Sequence, residues 1–272
     1  IERVQRYFAK RAQGLPWKTP SVAAIGALGL ITMEQYIEKT KLLFLNRLIN
    51  SSEKSVQRHI FISRISSYIV RMSCSRKSDG FIPDIQNILS KYPYLLEDFE
   101  RFISHGQKVP KDMWKFRIKC NIQESANQLY QSQVHEDVRL KRFANIHTQL
   151  EPSIRYVLGK QYPALLWPLA SLLQLALIED HPVTVKCILC QGEYRDVAKH
   201  VLLECSGLVI ERDRLFDNIT NALDVSSSCQ LLNGDEEVLV ETLLGSNTDI
   251  QLNENVCEQI IILVAKYACG KT

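Results

Sequence analysis

Apolar and polar positions alternate with a helical period along almost the whole chain. Ile1, Val4, Phe8 and Ala12 recur at steps of three and four and define one face. Arg3, Arg6, Lys10 and Arg11 fall largely off it. Gly14 followed by Leu15-Pro16 ends that helix. Thr19-Pro20 reads as an N-cap with proline at the first helical position, opening a short helix that ends at Gly29. Thr32-Met33-Glu34-Gln35 has the form of a capping box and starts a helix to about Asn50. The next helix, from Glu53 to about Met72, carries Val56, Ile60, Ile62, Ile65 and Ile69 as apolar anchors.

Residues 73–80 form a polar, basic break. Beyond it the pattern predicts two short helices within 82–104, split at Tyr92-Pro93-Tyr94, and a long helix over 110–132. Residues 136–148 and 152–178 continue the helical pattern, with breaks near Gly159 and Pro163. Further helices are expected near 206–223, 234–245 and 254–269. Thr184–Tyr194 departs from this period. It alternates Val185, Cys187 and Leu189 and turns at Gln191-Gly192, as a β-hairpin does. The expected fold is therefore mainly α: helical bundle subdomains with a small zinc module of a short β-hairpin plus a helix. The expected division is a basic helical domain at 1–77, a helical connector at 78–180, a CCHC module at 181–215 and acidic C-terminal helices at 216–272.

Charge sharpens that division. Residues 1–77 carry 14 Lys and Arg against four Glu, a net +10. The whole chain carries +3, so the remainder is −7. A basic head on an acidic body points to a polyanionic partner for the head. Residues 221–272, with eight acids and two lysines, suit a protein partner better than DNA. The apolar stretch around Tyr162–Ile178 is interrupted by Pro163, Pro168, Ser171 and Gln174. It reads as a core helix, so no membrane partner is expected. Eight scattered cysteines fit a reducing, intracellular compartment, nuclear or cytoplasmic. The chain begins at Ile1 rather than Met and is expected to be part of a longer protein.

The chemistry lies in Cys187-Ile188-Leu189-Cys190, His200 and Cys205, a C-x2-C-x9-H-x4-C spacing. Four such ligands within nineteen residues meet the needs of a tetrahedral, structural Zn2+, and no coordination position is left for a catalytic water. Residues five apart on an ideal helix diverge by roughly 140°, so the helix bearing His200 must end or distort at Cys205. His181 is a weaker substitute ligand. Cys74, Cys120, Cys229, Cys257 and Cys269 read as small core residues. No phosphate-binding G-x-x-x-x-G-K-S/T, dinucleotide G-x-G-x-x-G, G-x-S-x-G, H-E-x-x-H or Asp-Asp pair occurs, so no catalytic motif is found in this chain.

Two stretches resemble the C-terminal region of non-LTR (LINE-type) retrotransposon reverse transcriptases. The first runs from Ile1-Glu2-Arg3-Val4-Gln5-Arg6-Tyr7-Phe8 through Gly14-Leu15-Pro16 and Thr19-Pro20 to Leu28-Gly29, Ile37-Glu38-Lys39 and Lys41–Leu48. It is similar to that family's segment after the palm. The second, Cys187–Cys190, His200–Cys205 and Arg212-Asp213-Arg214-Leu215, is similar to its CCHC element. The family's palm, with Tyr/Phe-x-Asp-Asp, is absent. The resemblance implies a part that binds template RNA or target DNA and works with the polymerase core of the same polypeptide, without polymerising and without a small-molecule substrate. Arg3, Arg6, Lys10, Arg11, Lys41 and Arg47 are the expected phosphate contacts, joined by Lys186, Arg195 and Lys199 around the metal ligands. Tyr7, Trp17 and Tyr194 are candidate stacking platforms, with Trp17 expected to pack beside Pro16. The rival reading is a helical protein-interaction module that uses zinc only for stability.

Overall fold

Capping chemistry sets where the helices begin. Thr32 and Gln35 close a reciprocal box, the Gln35 N–H donating to Thr32 Oγ1 at 3.2 Å and the Thr32 N–H to Gln35 Oε1 at 3.1 Å. In the computed structural model, which describes residues 1–73, 80–177, 184–246 and 252–268, this box opens helix α3 (Met33–Ile49). Before it stand α1 (Glu2–Ala12) and α2 (Ser21–Gly26). Helix α2 has Pro20 at its cap and no side-chain cap bond, and it stops at Gly26. The expected Thr19 cap and Gly29 end are thus corrected. The described residues are mainly helical, with a single two-stranded sheet among them.

The chain divides into two units, residues 31–126 and residues 1–30 with 127–272. The basic stretch 1–77 is therefore not one body. Its first thirty residues belong with the C-terminal half.

Residues 31–126 hold α3, α4 (Val56–Ser73), α5 (Phe81–Leu89), α6 (Pro93–His105) and the first part of α7 (Lys111–Glu136). Leu42, Leu45, Ile85, Leu89, Leu95, Phe99, Trp114 and Ile118 form the core. Each buried aliphatic or aromatic side chain contributes about 2 kcal/mol relative to exposure. Buried carboxylates are paired. Glu38 accepts from the Tyr92 hydroxyl at 2.9 Å and from Lys91, and Asp98 is held by Arg117. Helix α4 is the exception to good packing. Of its five apolar anchors only Ile65 is buried, while Val56, Ile60, Ile62 and Ile69 stay exposed.

In the other unit, α1 and α2 join the end of α7, α8 (Lys141–Ile146), α9 (Ile154–Gln161), α10 (Leu166–Leu177), the hairpin and the helices beyond it. Helix α9 runs unbroken through Gly159, where a break was expected, and the break expected near Pro163 is present as a 3-10 turn over Pro163–Leu165. After the short α11 (Val197–Lys199), helices α12 (Val209–Ala222), α14 (Glu236–Leu243) and α15 (Glu254–Ala268) match the pattern. Helix α13 (Val225–Leu232), capped by Asp224, was not expected. Leu158, Leu172, Leu202, Leu215, Ile219, Val240, Leu243, Ile261 and Val264 make the core of this unit. The His147 ring reaches back to the Gly26 carbonyl at 2.9 Å, and the Tyr130 hydroxyl donates to the His147 carbonyl at 2.9 Å. Cys257 is buried as expected, but Cys120 and Cys229 are exposed. Cys74, Cys269 and His181 lie outside the described residues.

Candidate metal centre

Strands β1 (Val185–Lys186) and β2 (Glu193–Tyr194) pair antiparallel, with Val185 opposite Tyr194. The loop between them curls into a knuckle. The Cys187 N–H donates to the Gly192 carbonyl at 2.8 Å, and the Gln191 N–H donates to the Cys187 carbonyl at 2.9 Å. Gln191 takes a left-handed φ of 63° to close it. A side chain at Gly192 would collide with Tyr194, whose hydroxyl would lie 2.4 Å from the added Cβ. Gly207 gives the same freedom to Leu189, which would meet its Cβ at 2.7 Å. Glycine at these two positions lets the knuckle sit tight against both Tyr194 and the turn after Cys205.

Asp196 caps the next element, accepting from the Lys199 N–H at 2.9 Å, and α11 begins there. At His200 the helix widens into a π turn through Glu204, and the Cys205 N–H donates to the His200 carbonyl at 2.8 Å. This distortion resolves the angular conflict that an ideal helix would impose. An i to i+5 bond brings residues five apart toward one face.

The result is a four-point cluster. Cys187, Cys190, His200 and Cys205 lie close enough to hold a metal ion, their ligand atoms all within 4.8 Å of one another. The Cys187 and Cys205 sulfurs are 3.8 Å apart, and Cys190 Sγ lies 3.5 Å from His200 Nε2. Cys205 and His200 are buried, and Cys187 and Cys190 are half-buried.

The surroundings prepare these groups as ligands. The Tyr194 ring stacks on His200 with centroids 3.3 Å apart, and its hydroxyl lies 3.5 Å from Cys190 Sγ. That hydroxyl, helped by the Gly192 backbone, pulls the Cys190 thiol down to about 7, toward the thiolate a metal requires. The Tyr194 phenol is pushed up to about 12 by the same contact, so it remains a donor. Burial lowers the His200 pKa and favours the neutral ring, while burial raises the Cys205 thiol. His200 Nδ1 is buried without a hydrogen bond, and a Glu204 carboxylate oxygen stands 4.0 Å away. That separation is longer than the hydrogen bond through which a carboxylate orients a metal-bound histidine.

The module is fastened to its own unit by ion pairs. Buried Arg142, on α8, grips Asp196 at 3.0 and 2.6 Å and Glu237 of α14 at 2.8 Å. Burial disfavours the Arg142 charge, but these carboxylates more than offset that and hold its pKa above the ordinary value. The Tyr267 hydroxyl of α15 donates to the Val201 carbonyl at 2.7 Å, and Arg212 donates to the Cys205 carbonyl at 3.1 Å. Arg142 and Tyr267 lie far from the ligands in sequence, and no local pattern announces them.

The expected nucleic-acid contacts fall into two sets. Arg3, Arg6, Arg11, Arg47, Lys186 and Arg195 are exposed. Lys41 pairs with Asp84 at 2.5 Å, and Lys199 pairs with Glu236 at 2.5 Å and Glu204 at 3.6 Å. Lys10 donates to the Trp17 carbonyl at 2.9 Å and sits 5.6 Å over its ring. Trp17 does not pack as expected, being 83% exposed, whereas Tyr194 is taken up by His200. Phe8, at 59% exposure, stands out with Tyr7.

No family model matches the chain, and neither a curated protein nor a solved structure matches it. No described helix is long and apolar enough to cross a membrane.

Proposed function

We propose that this chain is the nucleic-acid-binding C-terminal part of a LINE-type reverse transcriptase, held in shape by a structural Zn2+. It would position template RNA or target DNA while the polymerase core elsewhere in the polypeptide does the chemistry. The zinc assignment rests on donor chemistry and spacing. Tetrahedral bonds of about 2.3 Å to sulfur and 2.0–2.1 Å to nitrogen put two sulfurs about 3.8 Å apart, and sulfur and nitrogen about 3.5 Å apart. Those separations agree with the 3.8 and 3.5 Å found here. Three thiolates and an imidazole favour zinc over harder cations. Thiolate ligands also suit a reducing nuclear or cytoplasmic compartment.

The observation that carries the nucleic-acid reading is the exposed side of α1. Successive helical residues turn by about 100°, which places Arg3, Arg6 and Lys10 within about 60° of one another. Tyr7, 65% exposed, lies on the adjoining strip, whereas Phe8, 59% exposed, points about 160° away from Lys10, and Trp17 stands beyond the helix end under Lys10. Clustered cations beside open aromatic rings can meet both the phosphates and the bases of a strand.

The test is binding of fluorescent single-stranded RNA and duplex DNA across a salt series, with zinc measured on the same sample. Neutralising Arg6, Lys10 and Arg11 together should flatten the logarithmic salt slope by about 2 for a single strand, at roughly 0.7 per lost phosphate contact. An unchanged slope removes α1 as the phosphate contact. Stoichiometric zinc without any binding favours the protein-interaction module instead.

A further inference from the structure

The poor packing of α4 has a counterpart beside it. Between α3, α4 and the start of α5 runs an open groove of 680 Å³, lined by Phe44, Leu48, Ile60, Arg64, Tyr68 and Phe81 among others. Phe44 meets Phe81 edge-on at 5.4 Å, so two rings form one wall. The opposite lip is Ile60, 56% exposed. Lining residues on α4 run from Gln57 to Tyr68. That is three turns, about 16 Å of helix. Helix α4 buries Phe61 and Ile65 but leaves Ile60 open on this flank, so the groove offers apolar walls to a partner's side chains.

The occupant can be argued from length and charge. Among the described residues Arg64 is the one charged side chain lining the groove. Arg47, a turn beyond Phe44 on α3, is exposed, and the nearby Asp84 is already paired with Lys41. A nucleic-acid strand brings one phosphate per nucleotide and needs a row of cations, and the described lining residues offer one. A three-turn slot that mixes the apolar Phe44, Leu48, Ile60 and Phe81 with Gln57, Ser63 and Ser67, and that carries Arg64 with Arg47 nearby, instead fits an amphipathic helix with apolar side chains at i, i+4 and i+7 and a few acids beside them. We propose that this groove binds an amphipathic, acidic helical segment of a protein partner. Such binding is independent of the nucleic-acid reading of α1.

The probe is a fluorescein-labelled 16-residue synthetic peptide with leucines on one helical face and glutamates on the other. Its control is a peptide of the same composition with the face scrambled. Anisotropy with the whole chain should show micromolar binding of the amphipathic peptide and at least tenfold weaker binding of the scrambled one. Ile60→Ser should weaken binding tenfold or more, and Arg64→Glu should weaken it severalfold. Both side chains are exposed, so thermal melts of the variants should match the parent chain and separate lost binding from lost folding. Equal binding of the two peptides, or an Ile60→Ser variant that melts normally and binds normally, overturns the proposal. So does full displacement of the peptide by oligouridylate, which would make the groove a nucleic-acid site. A concentration-dependent dimer that disappears in Ile60→Ser would assign the groove to a second copy and overturn it equally.

Discussion

The metal knuckle and helix α4 meet solvent in opposite ways. The knuckle is small, with two strands of two residues each, yet its ligands are matched and its surroundings are bonded to them. Tyr194 serves Cys190 and His200, Asp196 caps the ligand-bearing helix, and Arg142 holds Asp196. Helix α4 is eighteen residues long and leaves most of its apolar anchors open. The contrast separates two kinds of stability. One comes from a few directional bonds whose partners are all within the same unit. The other comes from non-directional burial, which is incomplete until something covers the surface.

The sharpest way to break this contrast is to remove a metal ligand. Cys205→Ser should abolish stoichiometric zinc and melt the knuckle and π turn, because apparent binding energies of roughly 10–16 kcal/mol at structural zinc sites are also folding energy. Unchanged metal content in the purified variant would refute the site. Next in size is Arg142→Met, which strips a buried cation from Asp196 and Glu237. It should cost about 3 kcal/mol, at the low end for a broken buried pair because both carboxylates are partly solvated. Its acid behaviour discriminates further. Burial works to raise the Asp196 pKa, but Arg142 and backbone N–H groups more than reverse this and hold it below the usual range. A depressed carboxylate stabilises above the unfolded value of about 3.9, and that contribution is lost as pH falls through the folded value. Denaturation below about pH 4 should therefore be steeper in the parent chain than in Arg142→Met. Matching acid profiles would show that the pair contributes nothing.

Tyr194→Phe keeps the ring on His200 and deletes the donor to Cys190. Zinc affinity, read by competition with a chromophoric chelator, should fall about tenfold, the lower end for a lost outer partner. The smallest effect belongs to Ile60 on α4. Ile60→Ser should change stability by less than about 0.5 kcal/mol, while Ile65→Ala in the same helix should cost about 3 kcal/mol. Similar costs at both positions, measured by urea denaturation, would show that Ile60 is already covered.

What could be read in advance divides along the same line. The cluster of Cys187, Cys190, His200 and Cys205 was legible because only a few residue types can bind soft metals, and their spacing is short. Even the distortion at Cys205 was implied by the angle between His200 and Cys205 on an ideal helix. Helix periodicity located α1, α3, α7 and α15. It could not tell a buried stripe from an open one, so Val4, Phe8 and Ile60 read as core positions and stand in solvent. Helix α13 was hidden because Ser226, Ser227 and Ser228 compete for backbone bonds and mask its propensity. Arg142 was invisible for a different reason. Its partners lie 54 and 95 residues away, and only folding brings them together.

The bond from His147 to the Gly26 carbonyl has a consequence for biosynthesis. Its ends are 121 residues apart, with the whole of residues 31–126 between them. At about 5–20 residues per second, the ribosome delivers the second partner roughly 6–24 s after the first. During that interval the intervening unit has all of its own residues and can fold first. The basic, aromatic segment 1–30 emerges before residues 127–272, with which it shares a unit, and must wait for them. A nascent chain therefore displays α1 before it has the body that will hold it, a window in which a chaperone or a nucleic acid could reach that helix first.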